Sequence, residues 1–187
     1  MDIDKEMKNI IIIFILYLIS FHGQSQVKKS LYDFKVTDID GKELDLSRFK
    51  GKKILVVNVA SKCGNTPQYA QLEELYLKYG PDKFVIIGFP ANNFLSQEPG
   101  TNEQIKEFCT SKYGVTFPMM AKISVKGKDI SPLYKWLTTK NENGVIDAPV
   151  KWNFQKFMIS EDGKLVDVVA PGESPVTEKI VNWIEGK

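Results

Sequence analysis

The sequence predicts a single α/β domain in which a mixed sheet lies between helices. Two unbroken apolar runs, ILVVNVA at residues 54–60 and FVIIGFP at residues 84–90, have the length and β-branched content of strands that are buried on both faces. The segment between the runs has helical periodicity, and strand, helix, strand in this order implies a right-handed parallel crossover. Two Asp-Gly pairs elsewhere each stand between apolar segments, which predicts antiparallel hairpins.

The first hairpin and the first helix are expected within residues 32–80. The segment YDFKVTDIDGKELDLSRF alternates apolar and polar positions around Asp40-Gly41, which is typical of a hairpin. Thr66 is placed to cap a helix that has Pro67 at its first position and ends at Gly80. The apolar face of this helix is predicted to contain Tyr69, Leu72, Leu75, Tyr76 and Tyr79.

The rest of the chain predicts three more helices and a second hairpin. Thr101 and Gln104 form a capping box for a helix that runs to about Lys112. Another helix is expected to begin at Ser131-Pro132, and residues 176–185 have the pattern of a final amphipathic helix. In KFMISEDGKLVDVV, residues 156–169, the Asp-Gly pair predicts the second hairpin.

The amino-terminal segment differs from the rest of the chain. Residues 10–21 form an apolar run that is too short for a comfortable membrane-spanning helix and is followed by small residues. This pattern predicts a secretory signal that is cleaved after Ser25, which leaves residues 26–187 as an exported, periplasmic or otherwise extracytoplasmic domain. Acidic residues dilute the positive charge before the run, so we expect translation to begin at Met7. An uncleaved membrane anchor is the alternative.

Composition excludes several classes of protein. The formal charge is +2 and the basic residues are scattered, so a nucleic-acid partner is not expected. The one histidine, His22, lies in the predicted signal segment. The mature domain would therefore work without imidazole, which excludes Ser-His-Asp and Cys-His catalysis and a histidine-based metal site.

Cys63 is the strongest candidate for a reactive residue. It lies between the end of a buried strand and the start of a helix, at the sheet edge where ligands and reactive groups collect in α/β domains. A helix amino terminus offers positive potential and free N–H groups, which favour the thiolate over the thiol. An inert buried cysteine fits poorly beside Lys62, Gly64 and Asn65.

Cys109 has three interpretations. It lies four residues after Ile105 on the apolar face of a predicted helix, where a small buried thiol needs no function. A structural disulfide with Cys63 is also conceivable in an exported chain. The two cysteines do not form a CxxC pair, so a thioredoxin-type redox motif is absent. If both react, they would act as an attacking and a resolving thiol.

Three blocks of sequence resemble the glutathione peroxidase family. They are NVASKCGNTPQYAQLEELY, GFPANNFLSQEPGTNEQI and VKWNFQKFMISEDGKLV, and the similarity runs in order from about residue 32 to the end of the chain. The resemblance implies a thioredoxin-like fold and the reduction of hydrogen peroxide and organic or lipid hydroperoxides, with a role in the response to oxidative stress and no cofactor. It implies that Cys63 is the peroxidatic residue and that Trp152 and Asn153 hydrogen-bond its sulfur.

The resemblance also implies how the oxidised sulfur is reduced. Cys109, in the block EFCTSKYGVTFPM, matches the resolving cysteine of the thioredoxin-dependent branch. The Cys63 sulfenic acid would condense with Cys109 to a disulfide, which thioredoxin or a similar dithiol would reduce, with glutathione as the other possible donor. Because an inward-facing Cys109 must reach Cys63, the helix at residues 101–112 is expected to unwind locally. A short connection before the tryptophan block implies a monomer with an open active face.

One departure concerns the fourth member of the family's sulfur-binding group. The sequence places Asn93 where we expect the family's glutamine, and the shorter side chain leaves its contact with Cys63 direct, water-bridged or lost. Two alternatives to a peroxidase are a disulfide exchange protein of the thioredoxin fold and a non-catalytic thiol redox sensor or relay. A third is a domain with a decayed site, which the presence of Asn93 slightly favours.

Overall fold

The computed structural model describes residues 29–80 and 82–187. The signal segment expected at residues 1–25, with its start at Met7, lies outside the described residues. Among the described residues, no helix combines the length and the apolar character needed to cross a membrane.

A small antiparallel hairpin precedes the central sheet. Strands β1 (Lys35–Thr37) and β2 (Glu43–Asp45) pair around the turn that contains Asp40-Gly41, as predicted. The central sheet contains β3 (Lys53–Val59), β4 (Phe84–Pro90), β5 (Lys156–Ile159) and β6 (Leu165–Val169), in the order β4-β3-β5-β6. The first two of these strands are parallel, whereas β5 is antiparallel to both β3 and β6, so the predicted mixed sheet is confirmed.

Five α-helices accompany the sheet in the described part of the chain. They are α1 (Gln68–Tyr79), α2 (Asn102–Tyr113), α3 (Pro132–Thr138), α4 (Lys140–Asn143) and α5 (Glu178–Glu185). Two short 3-10 helices, Leu31–Asp33 and Leu46–Phe49, flank the first hairpin. The capping box of Thr101 and Gln104 opens α2, and Ser131 caps α3, both as predicted.

Helices cover both faces of the sheet, which explains why the central strands are apolar without interruption. Ile54 and Val56 of β3 pack into a core that includes residues of α3. Leu55 and Val57 of the same strand point to the other face and pack with residues of α1, α2 and α5. The carboxyl end of β3 and the amino end of α1 therefore meet at one edge of a well-buried sheet.

The predicted start of α1 is wrong by one residue, and so is its predicted cap. Helix α1 begins at Gln68 and has no side-chain cap, since the Thr66 hydroxyl is used elsewhere. That hydroxyl accepts a hydrogen bond from the Cys63 N–H at 2.9 Å and donates one to the Ala60 carbonyl at 2.9 Å. Thr66 thus fixes the turn that carries Cys63 instead of capping the helix behind it.

Candidate active site

Cys63 lies in a series of tight turns between β3 and α1. Its carbonyl accepts a hydrogen bond from the Thr66 N–H at 3.0 Å, and the Asn65 carbonyl accepts one from the Gln68 N–H at 2.9 Å. Only 9% of Cys63 is exposed. Because the turn is held from both sides by Thr66, the position of the sulfur is defined by backbone geometry.

The sulfur of Cys63 accepts a hydrogen bond from the backbone. The Asn65 N–H points to the Cys63 Sγ atom at 3.4 Å. The side chain of Asn65 donates to the Asn153 carbonyl at 3.3 Å, which joins the Cys63 turn to the segment before β5. An N–H group in this place stabilises negative charge on sulfur without titrating.

Asn153 is completely buried and is paired with Gln97. Its Nδ2 atom donates to the Gln97 Oε1 atom at 2.9 Å, while its Oδ1 atom has no partner among the described residues. The Gln97 carbonyl in turn accepts a hydrogen bond from the Lys62 N–H at 3.0 Å. Gln97 therefore connects the residue before Cys63 with Asn153, a link that the sequence interpretation missed although Gln97 stands inside one of the quoted blocks.

Trp152 lies beside this group at the surface. Its ring is half-buried and packs against Phe94 with 5.2 Å between ring centroids. Asn58 of β3 orients the segment, because its Nδ2 atom donates to the Trp152 carbonyl at 3.1 Å and its carbonyl accepts from the Phe154 N–H at 2.6 Å. Within residues 29–80 and 82–187 the Trp152 indole N–H has no protein acceptor, so this donor is available to a substrate or to sulfur.

Asn93 is directed to a different part of the molecule. Its Nδ2 atom donates to the Ser124 hydroxyl at 2.9 Å and to the Lys126 carbonyl at 3.3 Å, and its Oδ1 atom accepts from the Val125 N–H at 2.8 Å. Both ends of the amide are thus occupied by residues 124–126. A role for Asn93 at the Cys63 sulfur stays a prediction, and the structure instead brings Gln97 to Asn153.

Cys109 is a free thiol on the inner face of α2, and 1% of it is exposed. Burial raises the pKa of the Cys109 thiol to about 11, the neighbouring Tyr69 hydroxyl opposes this, and the Glu98 carboxylate adds to it. Burial also raises the pKa of Glu98, whose Oε2 atom accepts a hydrogen bond from the Ser61 hydroxyl at 3.0 Å. In the resting fold Cys109 is therefore protonated and shielded.

A cleft of about 420 Å³ is lined both by the Cys63 loop and by α2. Its walls include Ser61, Lys62, Glu98, Gln104, Ile105 and Phe108. No group of three or more metal-binding side chains occurs in the part of the chain that the structure describes. The arrangement can do thiol chemistry at Cys63, with the Asn65 N–H on the sulfur and the Asn65 side chain linked to the buried Asn153.

The comparisons with known proteins agree with this chemistry. The family model described as glutathione peroxidase matches residues 31–138. The glutathione peroxidase-like peroxiredoxin 2 of Saccharomyces cerevisiae is 50% identical over 137 residues, which cover 73% of this chain and 85% of the yeast protein. The crystal structure of Trgpx in its apo form matches with a TM-score of 0.65 at 45% identity. The match covers 84% of this chain and 96% of the Trgpx chain.

A more distant structure supports the fold alone. The thiol:disulfide interchange protein of the thioredoxin family from Chlorobium tepidum is 18% identical, with a TM-score of 0.56, over 84% of this chain and 96% of its own. The thioredoxin-like α/β fold expected from the sequence is therefore confirmed.

Proposed function

Because the chain belongs to the glutathione peroxidase family, it is an oxidoreductase that reduces hydroperoxides with thiols, and we propose that Cys63 is the residue that meets the peroxide. The observation that carries this proposal is the geometry around the sulfur. The Asn65 N–H lies 3.4 Å from the Cys63 Sγ atom, and Asn65 also holds Asn153, which is paired with Gln97. No other described cysteine has such surroundings, since Cys109 is enclosed in the core.

The first step is attack of the Cys63 thiolate on one oxygen of the hydroperoxide. The S–O bond forms as the O–O bond breaks, and the leaving oxygen takes a proton and departs as water or an alcohol. Sulfur is oxidised to the sulfenic acid and the peroxide is reduced by two electrons. The free indole N–H of Trp152 is available to donate to the leaving oxygen, where negative charge develops.

The second step is resolution by Cys109. The Cys109 sulfur attacks the Cys63 sulfenic acid, the S–S bond forms, and hydroxide leaves and takes up the thiol proton as water. The yeast relative's name, which includes peroxiredoxin, supports a cycle that uses a protein thiol. Since 1% of Cys109 is exposed, the second half of α2 has to open before the two sulfurs can meet. Thioredoxin or a similar dithiol, or glutathione, then returns the enzyme to its reduced form.

Peroxide consumption by three proteins tests this cycle: the wild type, Cys63→Ser and Cys109→Ser, each with a thioredoxin system and with glutathione. We expect the wild type to turn over with thioredoxin and both variants to fail with it. Activity of Cys63→Ser would contradict the whole assignment. Full activity of Cys109→Ser with glutathione would show that the sulfenic acid is reduced directly and that Cys109 is only a core residue.

Hydrogen exchange tests the opening of α2 separately. Backbone amides of residues 102–113 are expected to lose protection when the protein is oxidised by one equivalent of peroxide. Unchanged protection would contradict resolution by Cys109. The Cys109→Ser variant is the control, because it forms the sulfenic acid without the disulfide.

We further propose that the protein is an exported monomer that protects against oxidative stress, and that it meets a membrane only through the amino-terminal segment if that segment is not cleaved. The apolar run at residues 10–21 supports export. The short connection before Trp152, which leaves the active face open, supports the monomer and access for lipid hydroperoxides. Amino-terminal sequencing of the protein from fractionated cells and light scattering of the mature domain test these points.

A further inference from the structure

The helix that carries Cys109 ends in a closed cap. Gly114 has a φ value of +64°, and its N–H donates to the Thr110 carbonyl at 3.0 Å. The next N–H along the chain, that of Val115, donates to the Cys109 carbonyl at 3.2 Å. A left-handed glycine with two bonds of this kind is a common way to close a helix. The backbone of Cys109 is therefore held by the residues that follow α2.

A buried carboxylate fixes the residue directly after this cap. Glu73 of α1 is only 5% exposed. Its Oε2 atom accepts a hydrogen bond from the Thr116 N–H at 2.8 Å, and its Oε1 atom accepts one from the Thr116 hydroxyl at 2.5 Å. Hydrogen bonds to a charged acceptor are about twice as strong as bonds between neutral groups. We name this pair of bonds between Glu73 and Thr116 the clamp.

The clamp joins the helix that follows the Cys63 turn to the end of the helix that carries Cys109. Thr116 comes directly after Val115, whose N–H holds the Cys109 carbonyl. While Thr116 is bound, Val115 stays in place and the cap of α2 stays closed. When Thr116 leaves, the buried Glu73 carboxylate loses both of its donors, which is costly until water reaches it. The clamp therefore opposes the opening that resolution by Cys109 requires.

Two other contacts of α2 are placed differently. The start of the helix is held by the Lys122 N–H, which donates to the Asn102 Oδ1 atom at 3.0 Å. The ion pair of Lys106 with Asp40 lies on the exposed side of the helix, where such pairs contribute little. Both contacts precede Cys109 on the helix. Of these three contacts, only the clamp has a buried charged group and follows Cys109 in the chain.

We propose that Glu73 is a positioning residue for Cys109: the clamp keeps Cys109 docked in the resting enzyme, and its release sets the rate of disulfide formation. The catalytic part of this inference rests on the proposed function. The Cys63 sulfenic acid has two fates. Attack by Cys109 forms the S–S bond and releases water, whereas a second hydroperoxide gives one oxygen to the sulfur, leaves as water or an alcohol and yields the sulfinic acid. Slower release favours the second fate, so the clamp also sets the peroxide concentration that inactivates the enzyme.

Thr116→Val tests the clamp in the reduced protein, since valine keeps the shape and the backbone N–H but lacks the hydroxyl. Thr138→Val is the matched control, because the Thr138 hydroxyl donates to the Tyr134 carbonyl at 2.7 Å on a different helix. Each protein is treated with iodoacetamide, and peptide mass spectrometry follows the alkylation of each cysteine. We expect Cys109 to react about tenfold faster in Thr116→Val alone, the effect of one lost bond to a charged acceptor, with the Cys63 rate within about twofold of wild type.

The same proteins are then oxidised with hydrogen peroxide, quenched with acid at set times and weighed by mass spectrometry. The disulfide should form about tenfold faster in Thr116→Val, and about tenfold more peroxide should be needed to convert half of the protein to the sulfinic acid. Oxidation of Cys63 to the sulfenic acid should keep its wild-type rate, which a general loss of structure would not leave unchanged. Glu73→Gln, which removes the charge and keeps the shape, should change both quantities in the same direction.

Other outcomes would overturn the proposal in different ways. Equal alkylation of Cys109 in wild type and Thr116→Val would mean that the clamp does not hold Cys109. Slower disulfide formation in the variant would mean that Thr116 has to stay bound to guide Cys109 to Cys63. Faster alkylation of both cysteines would show a general loosening and reject a positioning role. If the variant exposes Cys109 but wild type forms no disulfide, the clamp stands as the contact that docks Cys109 and the resolving step of the proposed function fails.

Discussion

The buried side chain of Lys156 is expected to make the folded protein more stable as the pH rises through the alkaline range. The side chain is completely buried on β5, and its Nζ atom donates to the carbonyls of Ala170 at 3.4 Å, Pro171 at 3.2 Å and Glu173. Burial lowers the pKa of Lys156 from 10.5 to about 8. Between these two values the unfolded chain binds a proton that the folded chain does not, so stability rises with pH.

The size of the effect follows from the two pKa values. Below pH 8 both states carry the charge, and above pH 10.5 neither does. From pH 7 to pH 10 the free energy of unfolding gains about 2.5 kcal/mol from Lys156, at 1.36 kcal/mol per pKa unit. The Lys156→Met variant lacks this gain. The free energy of unfolding of wild type minus that of the variant should therefore rise by that amount between the two pH values.

Cys109 acts in the opposite direction. Its folded pKa of about 11 lies above its ordinary value of 9.0, so the unfolded chain loses the proton first and stability falls between those values. At pH 10 this loss reaches about 1.4 kcal/mol. The Cys109→Ala variant should therefore become more stable relative to wild type as pH rises, although at neutral pH it is destabilised by the lost packing.

Urea unfolding at several pH values, with a reducing phosphine to prevent disulfides, measures both effects. In wild type the gain from Lys156 and the loss from Cys109 partly cancel as the pH rises. Relative to wild type, Lys156→Met should therefore lose stability with rising pH, and Cys109→Ala should gain it. Parallel profiles for wild type and Lys156→Met would refute the assignment of a depressed pKa to Lys156. Parallel profiles for wild type and Cys109→Ala would show that Cys109 titrates at its ordinary value in the fold.

Three further predictions concern the site. Tyr69→Phe should raise the free energy of unfolding by up to about 1 kcal/mol in urea unfolding, because no hydrogen bond of the buried hydroxyl is found among the described residues. A loss of stability would reveal a bond. Gln97→Ala should slow single-turnover oxidation by about tenfold or more in stopped-flow fluorescence, because Asn153 loses the partner of its amide. An unchanged rate would exclude a positioning role. Asp40→Asn breaks the 2.6 Å ion pair with Lys106, which is exposed, so we expect less than about 1 kcal/mol of lost stability but faster disulfide formation as α2 is released. Slower disulfide formation would contradict this.

Much of the fold could be predicted because its local and global signals agree. Both Asp-Gly hairpins, the two central strands and the caps at Thr101 and Ser131 lie where the pattern places them. The exception is Thr66, whose sequence context is that of a helix cap. Its hydroxyl bonds instead to Cys63 and Ala60, because the chain makes further turns before the helix begins. A side chain that can serve two backbone groups is assigned only by the tertiary structure.

The active site was predicted less completely, because Leu95 and Ser96 have backbone angles that the sequence does not favour. Asn93 and Gln97 both carry amide side chains and lie in the same sequence block, GFPANNFLSQEPGTNEQI. If the backbone between them were regular, the sequence would give no reason to expect Gln97 rather than Asn93 at the active site. The consecutive left-handed residues Leu95 and Ser96 reverse the chain between them, so that Asn93 turns to residues 124–126 and Gln97 reaches Asn153. Leucine is an unfavourable residue for that conformation, so local propensity argues against the geometry that builds the site. The same conformation that brings Gln97 to Asn153 leaves Leu95 81% exposed, so the site depends on backbone angles that sequence propensity does not favour.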